Sequence, residues 1–154
     1  MADNIVANAG SGGNTFAADD ISSVFYSRIK RSFGRDGIAS DVGTGFRLIS
    51  AASTNATSLK ASAGTLYVLY AVNLNAAVRY VKFYNKASSP TVGTDTPVAT
   101  FPIPASATGA GFAIDLGPGF DFGTGIAYAT TTGAADSDTA AVAANEIFLV
   151  GVYV

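Results

Sequence analysis

Apolar and polar residues alternate from Phe25 to Phe33, with Phe25, Ser27, Ile29, Arg31 and Phe33 on one side and Tyr26, Arg28, Lys30 and Ser32 on the other. This period of two predicts a strand, because successive side chains on extended backbone point to opposite faces. Gly34, Asp36 and Gly37 follow with turn chemistry. Glycine tolerates positive φ, and aspartate bonds its own backbone. Phe46–Ser50 predicts a second short strand, and the Ser-, Thr-, Asn- and Ala-rich stretch after it, to Ser62, predicts a loop. Thr65–Leu74 (TLYVLYAVNL) is the most hydrophobic run. Its aromatic and β-branched content predicts a strand buried on both faces, at the heart of the core. Asn75-Ala76-Ala77 reads as a short turn into a further strand, Val78–Asn85, which makes a hairpin of Thr65–Asn85.

Pro90, Gly93, Asp95 and Pro97 crowd the next connection, and proline's missing donor keeps that segment out of a central sheet. Short strands follow at Val98–Ile103, Gly111–Leu116 and Gly125–Thr131. Glu146–Val154 (EIFLVGVYV) predicts a last strand, apolar enough for a sheet interior. Between them, Ala134–Asn145 offers either a helix, N-capped by Asp136 or Asp138, or a loop. About eight short strands with turn signals roughly every 8 to 15 residues, and no βαβ alternation, predict an all-β protein. A β-sandwich is expected, with the jelly roll as its natural eight-strand form. The lead of small, polar and Gly-rich residues predicts a flexible N-terminal arm over residues 1–20, ahead of a sandwich domain at 21–154.

Composition changes this picture in three ways. A 49% hydrophobic fraction with 13% charged residues excludes a disordered chain. So little charge also suggests either surfaces covered by partners or a surface rich in Ala and Gly. The chain has no Cys and no His, which removes disulfides, thiolate metal sites, the usual general base and the commonest transition-metal ligand. Residues 1–13 lack a secretory pattern, and no run approaches the ~20 apolar residues that span a bilayer, so a soluble cytoplasmic product with no membrane partner is expected. Arg28, Lys30, Arg31 and Arg35 cluster beside Tyr26 and Phe33. The net charge of −2 argues against nucleic acid and favours an edge strand whose cations deter pairing or meet an acidic partner.

Candidate chemistry is confined to carboxylates: Asp19 with Asp20, Asp36 with Asp41, Asp115 with Asp121, and Asp136 with Asp138. Paired acids can divide general acid and base roles, but these lie beside Gly, Ser or Thr, where aspartate serves turns and caps. No catalysis is expected. Asp136-Ser137-Asp138 has the alternation of a calcium loop without its glycine or terminal glutamate, so no metal or other cofactor is expected. Tyr67, Tyr70, Tyr80 and Tyr84 offer either a sugar platform or packing within the core or between subunits.

The stretch FAADDISSVFYSRIKRSFGRDGIASDV (Phe16–Val42) resembles the opening of many phage structural proteins. FYNKASSPTVGTDTPVATFPIPA (Phe83–Ala105) and FGTGIAYATTTGAADSDTAAVAANEI (Phe122–Ile147) resemble a segment that recurs in tailed-phage virion proteins. The resemblance implies a virion component, and the size, the strand pattern and the lack of heptads suit a capsid cement or decoration protein. Such proteins are commonly homotrimers that bind the outer surface of the major capsid protein lattice. On that reading the arm, with Asn4, Ile5, Val6 and Phe16, and the basic strand, with Arg28, Lys30, Arg31 and Arg35, are the expected partner contacts. The alternative is a tail, baseplate or head-fibre module that contacts the host, with carbohydrate as a candidate ligand.

Overall fold

The computed structural model describes residues 4–6, 15–21, 24–27 and 43–154. The chain divides into two units, Met1–Asp41 and Val42–Val154. In the first, β1 (Asn4–Val6), β2 (Thr15–Ile21) and β3 (Val24–Ser27) form an antiparallel sheet in that order. Ile5 lies opposite Phe16, and Asp20 opposite Phe25. The strand expected over Phe25–Phe33 is therefore present to Ser27, and its remainder lies outside the described residues.

The second unit contains eight strands: β4 (Thr44–Ile49), β5 (Thr57–Lys60), β6 (Gly64–Asn73), β7 (Arg79–Asn85), β8 (Ala99–Ile103), β9 (Ala110–Phe122), β10 (Ile126–Thr131) and β11 (Ile147–Tyr153). They form two four-stranded antiparallel sheets, β4-β11-β6-β9 and β5-β10-β7-β8. First pairs with last, second with seventh, third with sixth and fourth with fifth. That nesting is the order of a jelly roll: an antiparallel ribbon folded over so that its strands alternate between two sheets. The all-β sandwich expected from the strand pattern is the fold.

Inward side chains of both sheets meet in one core. Phe83 sits at its centre, with the rings of Phe101, Phe122 and Tyr128 at 6.1–6.2 Å, the separation of favourable tilted and edge-on pairs.

Several elements differ from the pattern-based expectation. The predicted Thr65–Asn85 hairpin does not form: β6 pairs with β9 and β11, whereas β7 pairs with β8 and β10 in the other sheet. The cause is the fully buried Asn73, whose Oδ1 accepts from Asn75 N and whose Nδ2 donates to the carbonyls of Ala77 and Pro104. These bonds turn the chain out of one sheet and into the other.

The expected loop before Ser62 contains β5, a short edge strand in which Leu59 packs on the core and Ser58 Oγ donates to Ala87 O. β9 runs past Leu116 to Phe122 by way of Gly117 and Gly119, both at positive φ, where its register with β6 shifts. Ala134–Asn145 is irregular and non-helical.

Candidate interaction surface

The two sheets treat their outer faces differently. On β5-β10-β7-β8 the outward side chains of the inner strands around Lys82 and Tyr84 are covered by the unit's own loops, while Pro102 on the edge strand β8 stays exposed. Tyr84, Ala127 and Ala129 are buried beneath Ala56 and Val92, and Lys82 is fully buried. Lys82 Nζ donates to Ala135 O at 2.5 Å and to Asp138 O, so an internal ammonium holds the 132–145 connection down on the sheet. Burial keeps Lys82 below the ordinary lysine value, against the opposing pull of Asp138 and Asp136.

Of the carboxylates singled out in the sequence, Asp115 and Asp138 serve local turns and Asp121 ties two strands together, while Asp36 and Asp41 lie outside the described residues. Asp138 Oδ1 accepts from Gly133 N and Ala140 N, Asp115 Oδ1 from Gly117 N, and Asp121 Oδ1 from the Thr65 hydroxyl. The amide of Asn55 is likewise engaged, donating to Ser53 O and Thr130 Oγ1.

Tyr84 provides a test of this covered face. Among the described residues its hydroxyl is the one buried side-chain polar atom without a hydrogen-bond partner, and burial, reinforced by Asp95 and Asp136, raises it above the ordinary tyrosine value of 10.0. The unfolded chain ionises first as pH rises. The stability held by the neutral phenol is therefore complete below pH 10 and is lost as pH climbs through the raised value.

Tyr84→Phe should make the alkaline loss of stability shallower. At pH 7 it should leave stability unchanged or raise it by about 1 kcal/mol, since it removes an unpaired buried hydroxyl. Tyr128, raised mainly by burial, keeps some of the alkaline slope in both proteins. Lys82 acts in the opposite direction, favouring the fold as pH rises from its lowered value towards 10.5. Urea titrations at pH 7 and above pH 10 check this, and an unaltered alkaline slope would reject the assignment.

Among the described residues of the Val42–Val154 unit, nothing covers the outer face of the other sheet. Strand register sets its outward side chains in three rows across β4, β11, β6 and β9. The first row is Ile49, Phe148, Val72 and Gly111; the second is Arg47, Val150, Tyr70 and Ala113; the third is Gly45, Val152, Val68 and Asp115. Ten of these twelve positions are apolar or glycine, and the two charges sit on opposite edge strands.

Tyr70 and Val150 each retain 45% exposure, and Ile49, Val68 and the adjoining Leu74 are also exposed. Gly111 is required here, because a Cβ would run into the Ala71 carbonyl of β6. Its bare backbone opens a shallow groove floored by Tyr70, Val72 and Leu74. This contiguous apolar surface is the candidate interaction surface of the unit.

Sequence reading did not locate this face, because Thr65–Leu74 was expected to be buried on both sides. In the structure Leu66, Leu69 and Ala71 enter the core while Val68 and Tyr70 point outward. Nor do the four tyrosines considered as a sugar platform share a surface. Tyr67 and Tyr70 lie on β6, Tyr80 and the buried Tyr84 on β7 of the opposite sheet.

Of the expected partner contacts, Asn4, Ile5 and Val6 form β1 and pair with Ala17, Phe16 and Thr15. Arg28, Lys30, Arg31 and Arg35 lie outside the described residues. Among the described residues no helix is long and apolar enough to cross a membrane. Comparisons with protein-family models, curated proteins and solved structures find no match for the chain, so a functional reading starts from the jelly roll and its bare face.

Proposed function

We propose that this chain is a non-catalytic phage capsid cement, or decoration, protein that stabilises the head by binding the outer surface of the major capsid protein lattice. The observation that carries the reading is the exposed apolar face on a jelly roll whose other face is covered over its inner strands by its own loops. A molecule built this way works by packing against protein. Apolar sheet faces serve assembly, while the Asn4–Val6 strand, Phe16 and the basic residues Arg28, Lys30, Arg31 and Arg35 supply the capsid contacts. Many copies on one lattice turn a modest contact into a strong attachment. The virion is the expected location, and the resemblance in the sequence supports it.

Mixing the purified chain with expanded heads that lack it should give saturable co-sedimentation and heads that withstand higher temperature. Hundreds of copies per particle by electron microscopy would support cement. A handful at the tail or baseplate would instead favour the host-contacting alternative. Removing residues 2–18, or reversing charge at Arg28 and Lys30, should weaken binding, the latter most at low salt. Unchanged binding in both variants would reject those contacts.

A further inference from the structure

The two charges on the bare face select its occupant. Arg47 lies in the middle row on edge strand β4, and Asp115 in the next row on the opposite edge strand, β9. Within one sheet they are three strand spacings apart, about 14 Å, too far to pair. We infer that the face is the contact between two copies of this chain, packed sheet on sheet about a twofold axis that runs along the strands.

That axis lays β4 of each copy over β9 of the other. Arg47 then meets Asp115 of the second copy, displaced along the strands by about 7 Å, a span an extended arginine covers. Both such pairs form at once, because a twofold contact is self-complementary.

The same operation matches large side chains to small ones. Ile49 falls over Gly111, Arg47 over Ala113 and Asp115 over Gly45, while Val150 meets Tyr70 and Val152 meets Val68 at the centre. A twofold axis across the strands would place Arg47 on Arg47, so charge decides between the two arrangements. Sheets in such contacts keep their strands within about 30° of each other. A threefold oligomer, which the resemblance implies, would set each flat face against a different surface of its neighbour.

Four strands of about seven residues present roughly 440 Å² of flat sheet per copy. Across the pair this lies below the ~1,200–2,000 Å² of standard stable interfaces, so association should be concentration-dependent, with a dissociation constant on the order of micromolar. The inference deepens the proposed function and rests on its reading of the bare face as a protein interface. Assembly is nonetheless read on the isolated chain, apart from any capsid.

Sedimentation equilibrium of the full chain over about 1 to 500 μM should show a monomer–dimer transition. Val150→Lys, which sets a charge at the centre, should weaken it more than about 30-fold. Arg47→Asp and Asp115→Arg should each weaken it about 10-fold by opposing like charges, and the double variant should restore it. Residues three strands apart in one sheet can produce that rescue only across copies. A monomer throughout the range, a trimer, or a dimer indifferent to these substitutions overturns the inference. A dimer that behaves as described yet fails to bind heads would leave it standing and defeat the cement reading alone.

Discussion

Removal of Ile147–Val154 is expected to abolish folding of the Val42–Val154 unit. β11 is an inner strand, hydrogen-bonded to β4 along one edge and to β6 along the other. Without it β4 loses its partner strand, and the fully buried side chains of Ile147 and Leu149 leave the core. One buried leucine cut to alanine costs about 2–5 kcal/mol, and a domain of this size holds only about 5–15 kcal/mol in all. Loss of the whole strand exceeds that margin. The truncated chain should lose its tertiary circular-dichroism signal and its cooperative urea transition. Leu149→Ala should keep both with stability lower by about 3 kcal/mol. A cooperative transition in the truncated chain would overturn this account of β11.

The second large effect is expected at the entry to that strand. Glu146 is 5% exposed and accepts from Arg79 Nε through Oε1 and from Ala143 N through Oε2. Beside it, the buried Ser50 Oγ accepts from the backbone N–H groups of Glu146 and Ile147 and donates to Ala143 O. Together these bonds fix the irregular 132–145 connection where it enters β11. Glu146→Ala leaves a largely buried guanidinium and a backbone N–H unpaired, which should cost about 3–5 kcal/mol.

Replacing both partners, as Arg79→Met with Glu146→Leu, should recover much of that loss, because an apolar pair leaves no uncompensated charge. Urea denaturation with an unchanged slope measures both variants. A loss under about 1 kcal/mol for Glu146→Ala would contradict the assigned role.

The sandwich was legible in the sequence because turn residues punctuate short apolar runs, and seven of the eight strands of the second unit fall on the predicted ones. Pairing was less legible. Neighbouring runs joined by Asn75-Ala76-Ala77 resemble a hairpin, and only the bonds of the buried Asn73 send them to different sheets. β5 was missed because a four-residue strand in a Ser/Thr-rich stretch has too few positions to establish a period.

The bare face was hidden for a different reason. Alternation signals a strand only when its two faces differ in polarity. Where one face packs into the core and the other is exposed yet apolar, the two do not differ in polarity, and β6 and β11 read as wholly buried. The absence of His and Cys narrowed the chemistry at once, but composition does not indicate which face a jelly roll leaves uncovered.

The nested pairing also shapes how the chain reaches its fold. Only β7 and β8, the innermost pair, are neighbours in sequence, whereas β4 must wait for β11, nearly the whole unit away. Closing such distant loops costs entropy before any contact repays it, so folding is expected to be slow and to zip outward from β7 and β8. Until β11 docks, unpaired edges and apolar strands remain accessible to other chains, so the yield of folded protein should fall as chain concentration rises.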